Sequence, residues 1–491
     1  MANFETLLNI RKQYSGKRFT DGLSDAVIKS FLSRDSQLAQ AIQAAADLLP
    51  KVKAEFPEAF NTDEELLIEK LSEGFLNFYD RYACNPYIPL AGKGPWIVSI
   101  TGAVIHDSGG YGMLGFGHNP DAVDEAMGRE QVMANIMTSS FALSRFMKRI
   151  RKEIGHARPA SKKEPYAKFV CMNSGSEAMT VALRVSDMNA KIQTDPGGRH
   201  AGKRIMLLSH KGSFHGRTER PAVASDSSQK KYQLLASFRD NKRLITTPPN
   251  DLDQLAKTFE QAQKDGIFIE AMLIEPVMGE GNPGVGVTPE YYRLARELTI
   301  ANGTILIVDS IQAGIRTTGC LSIVDYPGFT EMDAPDMESY SKALNAGQYP
   351  LSVLALSKAA ADIYQVGVYG NTMTTNPRAL DVASAVLDSL TPEIRANIVA
   401  AGKKFVQGLK KIQGELGGAI TDVQGTGLLF CAHLDGKRFK AVGKGSTEEQ
   451  LRRQGIGVIH GGENALRFTP HFRITDAEID LVIEHVKAAL K

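Results

Sequence analysis

No apolar run in the 491-residue chain approaches the ~20 residues needed to cross a bilayer. The opening stretch, MANFETLLNIRKQY, lacks the apolar segment of a secretion signal. Cysteine is scarce: Cys84, Cys171, Cys320 and Cys431 stand far apart, which excludes a dense disulfide framework, a closely spaced zinc set and a redox pair. A reducing cytoplasm is the expected setting. Charge of one sign is missing too. The chain carries 57 basic against 55 acidic residues, a net +2, so neither nucleic acid nor a membrane surface is expected as a partner. Internal repeats and low-complexity segments are absent. What remains is a globular composition, 43% hydrophobic and 23% charged, that excludes disorder. At ~150 residues per domain the length predicts two or three domains.

Helical spacing marks Leu38–Leu49 and Glu64–Phe78. The pattern breaks at Asn85–Pro86 and Pro89, and Trp96–Thr101 and Ala103–Asp107 read as a hairpin around Thr101–Gly102. The glycine-rich run 109–117 reads as a loop. From about 120 to 375, helical segments alternate with short aliphatic runs at Lys168–Met172, Arg204–Ser209, Ala271–Glu275, Thr304–Asp309 and Leu351–Leu356. Apolar runs without alternation suit strands buried on both faces. The expected fold is therefore α/β, with a mostly parallel, doubly wound sheet. The last hundred residues mix helices and short strands and close on a capping box, Thr475 to Glu478, before a final helix. The basic stretch 145–164 holds eight Lys/Arg against two Glu and reads as a solvated surface.

Gly279-Glu280-Gly281-Asn282-Pro283-Gly284 has the spacing of a dinucleotide-binding loop. Its context fails. Pro283 intervenes, no helix can begin before about Thr288–Pro289, and no acidic residue lies about 20 positions on, so a pyrophosphate would meet no helix N-terminus.

Four strand ends carry chemistry together, because ligands of open α/β sheets sit outside the carboxyl ends of the strands. After Lys168–Met172 comes Asn173-Ser174-Gly175-Ser176-Glu177, a small-residue turn opening a helix. Free amides and a serine hydroxyl there suit one phosphate group, although Ser174 or Ser176 would equally serve as a plain helix cap. Ser213-Phe214-His215-Gly216-Arg217 offers an aromatic face for a planar ring and an Arg fork for a carboxylate; taken singly, Phe214 and His215 read as core residues. Asp309 ends an apolar strand, where a desolvated carboxylate needs a cation such as a protonated ring nitrogen, or else caps a helix. Lys342 stands in an apolar, small-residue setting just before another strand, where partial burial would lower its pKa and make it a nucleophile; most lysines are instead on the surface. Phosphate cradle, stacking aromatic, ring-nitrogen carboxylate and nucleophilic lysine have one common solution, pyridoxal 5′-phosphate.

Over residues 85–491 the chain resembles the class III aminotransferases, a fold type I pyridoxal-phosphate family that includes ornithine, 4-aminobutyrate and acetylornithine aminotransferases. The likeness lies in N-S-G-S-E-A (173–178), F-H-G-R-T (214–218), I-E-P-V-M-G-E-G (274–281), D-S-I-Q-A-G (309–314), S-K-A-L (341–344) and T-M-T-T-N-P (372–377). It implies Lys342 as the Schiff-base lysine and Asp309 as the partner of the ring nitrogen. It implies Gln312 on the ring hydroxyl, Phe214 stacked on the ring, and Gly175 and Ser176 at the phosphate. Thr372 matches a threonine that reaches the phosphate from the other subunit of a homodimer. Arg467 matches the arginine for the α-carboxylate of glutamate or 2-oxoglutarate, Glu280 the glutamate that neutralises it, Arg217 an arginine for a distal carboxylate, and Glu275 a buried structural glutamate. The resemblance implies ping-pong transfer from an amino acid to 2-oxoglutarate, with Glu280 favouring an ω-amino donor. An epimerase or aminomutase on the same scaffold is the alternative. The implied organisation is a helical extension (1–84), a large cofactor domain (120–375) and a small α+β domain assembled from 85–119 and 376–491. One departure is Asp309-Ser310, where the family has Asp-Glu.

Overall fold

In the computed structural model, which describes residues 2–239 and 242–491, the chain forms two compact units. One comprises residues 125–399 and 425–429; the other comprises the first 124 residues with 400–424 and 430–491.

The first unit is built on a seven-stranded sheet: β1 (Lys168–Met172), β2 (Arg204–His210), β3 (Leu244–Thr247), β4 (Ile267–Ile274), β5 (Ile305–Asp309), β6 (Met337–Tyr340) and β7 (Ser352–Leu356). The spatial order is β1-β7-β6-β5-β4-β2-β3. β2 through β6 pair in parallel, and β7 runs antiparallel to both β1 and β6. Thus β1 and the five parallel strands all point their carboxyl ends to one edge. β4, β5 and β7 are buried along their whole length, which is why their sequences are apolar on both faces apart from Glu270, Asp309 and Ser352. Helix α1 (Gly175–Thr194) lies against the sheet through Ala178, Met179, Ala182 and Val185.

Two strands escaped the sequence reading. β3 is a short edge strand, half-buried for most of its length. β6, Met-Glu-Ser-Tyr, is polar yet fully buried. Its Glu338 survives there because Tyr166 donates to it at 2.6 Å, Ile323 N at 2.9 Å, and the hydroxyls of Ser310 and Ser322 complete the shell. Ser310, the residue that departs from the family pattern, is thus a ligand of this buried carboxylate. The helix expected over 64–78 is also shorter, Glu64–Leu71, because Gly74 takes a positive φ of 77°.

The basic stretch 145–164 is largely paired within its own unit. Arg145 forks onto the buried Asp381 at 2.9 Å, Arg149 reaches Asp388 at 2.7 Å, and Arg158 donates to the Thr330 carbonyl at 3.1 Å.

The second unit holds the amino-terminal helices, a four-stranded sheet (Pro89–Lys93, Trp96–Ser99, Val104–Asp107, Ile456–Gly457) and another four-stranded sheet that includes Ala465–Phe468. The expected hairpin is present, with Ile97 opposite Ile105. The capping box at Thr475 forms as well, and its glutamate does more than cap. Glu478 Oε1 accepts from His106 Nε2 at 3.0 Å and His471 Nε2 at 2.9 Å, and Oε2 from Thr475 N at 2.7 Å. Burial alone would raise this carboxyl, but His471 and His106 outweigh it and hold the group well below the usual carboxylate range. A depressed folded value contributes stability above the ordinary carboxyl value of 4.5 that is lost as pH falls below it. Glu478→Gln therefore costs about 1.5–3 kcal/mol at pH 7, the worth of charge-assisted bonds. The gap to wild type narrows on acidification below that value. Urea unfolding read by the single tryptophan, Trp96, checks this, since its ring lies 5.0 Å from that of His106.

Candidate active site

Five of the sheet's carboxyl ends deliver the candidate residues to one edge. β1 leads into the start of α1, where Ser174 caps Glu177 N and no protein acceptor faces the Gly175 or Ser176 amides among the described residues. β2 leads to 213–217. Gly216 takes a φ of 113°, and a Cβ there would stand 2.7 Å from Ser176 Oγ, so glycine alone lets this loop close on the helix start. The contact is made: Arg217 N donates to Ser176 Oγ at 3.4 Å. β4 leads to Glu275, which accepts from Phe214 N at 2.9 Å and Gly279 N at 2.8 Å and so pins two loops together. Its carboxyl is pushed up to about 7 by burial, helped by the nearby Asp309 charge and opposed by His215.

β5 ends at Asp309, buried at 5% exposure. Its Oδ2 accepts from His215 Nδ1 at 3.0 Å, and its Oδ1 from Ile311 N at 3.2 Å and Ser339 Oγ at 3.4 Å. Beyond β6, Lys342 sits half-buried in the left-handed region, φ 46°, and its Nζ donates to Gln312 Oε1 at 2.8 Å. A non-glycine residue held at positive φ at a strand end is strained, and such strain gathers where side chains must be aimed. Arg217 lies over the Phe214 ring at 5.4 Å, and its Nη2 is 3.3 Å from Glu280 Oε1.

These contacts bring Ser176, Phe214, Arg217, Glu275 and Glu280 into one cluster and pair Gln312 with Lys342. Gly175 stands against the same edge; a Cβ on it would meet Ile311, the neighbour of Gln312, at 2.7 Å. Thr372 is exposed, and its carbonyl accepts from Asn135 Nδ2 at 2.9 Å. Arg467 belongs to the other unit, buried on Ala465–Phe468 with Cys431 and Ile459 as strand neighbours.

Residues 80–490 match the family model described as "Aminotransferase class-III". The chain belongs to the class III aminotransferases. It is 30% identical over 382 residues to the acetylornithine aminotransferase of Xanthomonas axonopodis pv. citri, covering 76% of this chain and 85% of that protein. It is 28% identical over 433 residues to the ornithine aminotransferase of Staphylococcus epidermidis, covering 85% and 98%. The crystal structure of ornithine aminotransferase from Toxoplasma gondii ME49 superposes with a TM-score of 0.73 at 23% identity, covering 89% of this chain and 97% of that one. The fold is accordingly that of fold type I pyridoxal-phosphate enzymes, and another Toxoplasma gondii structure holds the cofactor at partial occupancy in its active site.

The residues of this aminotransferase fit that cofactor. Gln312 Nε2 is buried with no protein atom to accept from it, an expensive state for an amide unless a ligand oxygen meets it. That donor, the neighbouring Lys342 amine, the buried Asp309 carboxylate and the Phe214 face suit a phenolic aldehyde with a basic ring nitrogen.

Sequence reasoning missed His215 as the partner of Asp309. A lone histidine after a strand carries no signal of what it faces, and only the fold sets it beside the end of β5. Nearby His210, fully buried, is pushed down to about 3 by desolvation, reinforced by His215, and stays neutral. Ser339 was missed with its strand.

Proposed function

We propose that this aminotransferase takes the amino group from an ω-amino donor of the ornithine class and delivers it to 2-oxoglutarate by ping-pong turnover. The observation that carries the reading is the Arg217–Glu280 pair beside Phe214: one cation and one anion, both partly exposed, available to the two ends of a substrate. Bound pyridoxal phosphate supplies the electron sink for the bond broken at the substrate carbon. In this reading Lys342, aimed by its bond to Gln312, holds the aldehyde and then moves the proton at that carbon. Asp309, charged and desolvated, keeps the ring nitrogen protonated, with His215 and Ser339 fixing its orientation. Gly175 and Ser176 hold the phosphate through the helix start, and Phe214 covers the ring. Arg217 receives a carboxylate of 2-oxoglutarate. Two copies form a homodimer in which Thr372 reaches the partner's phosphate. Among the described residues no helix is long and apolar enough to cross a membrane, and the four cysteines are free, which suits a reducing cytoplasm.

A donor panel with 2-oxoglutarate, read as glutamate formed, tests the assignment. Ornithine, lysine, 4-aminobutyrate and acetylated ornithine separate the donor classes. Turnover of an amino acid with no oxo acid present would overturn it in favour of an isomerase. Glu280→Ala should slow the ω-amine half-reaction by about tenfold, the worth of one charge-assisted contact, and the glutamate half-reaction much less. Equal losses in the two half-reactions would refute the role given to Glu280.

A further inference from the structure

The segment between Lys358–Ile363 and Pro377–Asp388 carries Thr372 and is exposed over much of its length, with Val366 98% and Met373 73% exposed. Part of its order is internal: Asn371 Oδ1 accepts from Met373 N, and its carbonyl from Thr374 Oγ1, both at 2.9 Å. Asn135 Nδ2 holds the Thr372 carbonyl, and the other anchor that reaches the rest of the fold at this point is a carboxylate. Glu177 Oε1 accepts from the Tyr369 hydroxyl and from Asn371 Nδ2 at 2.7 Å, while Oε2 accepts from Asn173 N at 2.8 Å. Tyr369 and Asn371 are half-buried, whereas Thr372 beside them is exposed. Two turns further along α1, Arg184 Nη1 donates to the Val368 carbonyl at 2.5 Å and its guanidinium faces the Tyr369 ring at 6.0 Å.

Glu177 is the third residue of α1, immediately after Gly175 and Ser176. A carboxylate at the positive end of a helix gains from the dipole. Placed there it also faces the anion that the helix start attracts, so its charge needs partners. Tyr369, Asn371 and Asn173 are those partners.

We propose that Glu177 is a positioning residue: it ties the segment that presents Thr372 to the helix start that cradles the cofactor phosphate. The inference rests on the reading of Ser176 and Thr372 as phosphate contacts. Glu177 itself touches no reacting atom; together with Asn135, it sets where Thr372 stands.

The test compares purified holoenzyme carrying Glu177→Ala, Glu177→Gln, Tyr369→Phe, Thr372→Val and the Glu177→Ala/Thr372→Val pair. Two readouts are taken: release of pyridoxal phosphate followed by absorbance, and chymotryptic cleavage at Tyr364 and Tyr369. Losing charge-assisted anchors should speed both release and cleavage in Glu177→Ala by about tenfold. Glu177→Gln should recover part of this, since its amide oxygen still accepts from Tyr369 and Asn371. In the double variant, release should be no faster than in Thr372→Val alone, because the two residues act through one contact. Tyr369→Phe removes the same tie from the opposite side and should loosen the segment even where Glu177→Ala folds poorly. Cleavage at the wild-type rate in both Glu177→Ala and Tyr369→Phe, or multiplied effects in the double variant, would overturn the proposal. Wild-type cofactor release from Thr372→Val, with fast cleavage of Glu177→Ala, would instead sink the phosphate role of Thr372 and leave the tether standing.

Discussion

Lys342→Ala should abolish amine transfer while the protein stays folded. The substitution removes the only amine that Gln312 aims at this edge of the sheet among the described residues, and with it, in the proposed assignment, both the covalent hold on the cofactor and the group that moves the proton. Losing a nucleophile and a general base together costs about 10³-fold or more in kcat. The fold should survive: Lys342 is half-buried, and alanine keeps the short helical turn Lys342–Asn345 and its cap at Ala346. The visible chromophore of the holoenzyme should vanish, with circular dichroism unchanged. Retention of more than a tenth of the rate, or of the chromophore, would end the assignment of this lysine.

Asp309→Asn is the second large effect. Asparagine keeps the shape and one acceptor oxygen, enough for Ile311 N and Ser339 Oγ, while its amide nitrogen turns to His215, whose Nδ1 accepts in the other tautomer, so packing at the end of β5 is little disturbed. The charge is gone. Taking one partner from a buried ion pair costs about 3–5 kcal/mol, which corresponds to about 10²–10³-fold or more in each half-reaction. The measurement is single-turnover kinetics of the two half-reactions. Both should fall together, because the ring nitrogen serves both directions. A loss confined to one half-reaction would mean that Asp309 acts on a substrate and not on the cofactor.

The two substitutions differ in what they probe. Lys342 was prominent in the sequence because a lysine in a run of small and apolar residues is unusual. Asp309 was prominent because an acid ends a buried aliphatic strand. Both signals are local, as is the cradle at 173–178, since strand, turn and helix start are contiguous. Partnerships are not local. Gln312 meets Lys342 across 30 positions, and His215 meets Asp309 across 94. The polar strand β6 was illegible because its Glu338 is buried at the expense of donors from Tyr166, Ser310, Ser322 and Ile323, none of them adjacent to it in the chain.

The amino-acid order alone determined the fold class and the cofactor family and marked the strand ends proposed to carry chemistry, because each depends on periodicity or on residues within a few positions of one another. Only the tertiary structure decided which side chain faces which. It put His215 behind Asp309, Glu275 between two loops, Arg217 on Glu280 and Glu177 under the Thr372 segment. The physical reason is range: hydrophobic patterning is written along the chain, whereas a buried carboxylate takes its partners from whatever strands the sheet lays beside it.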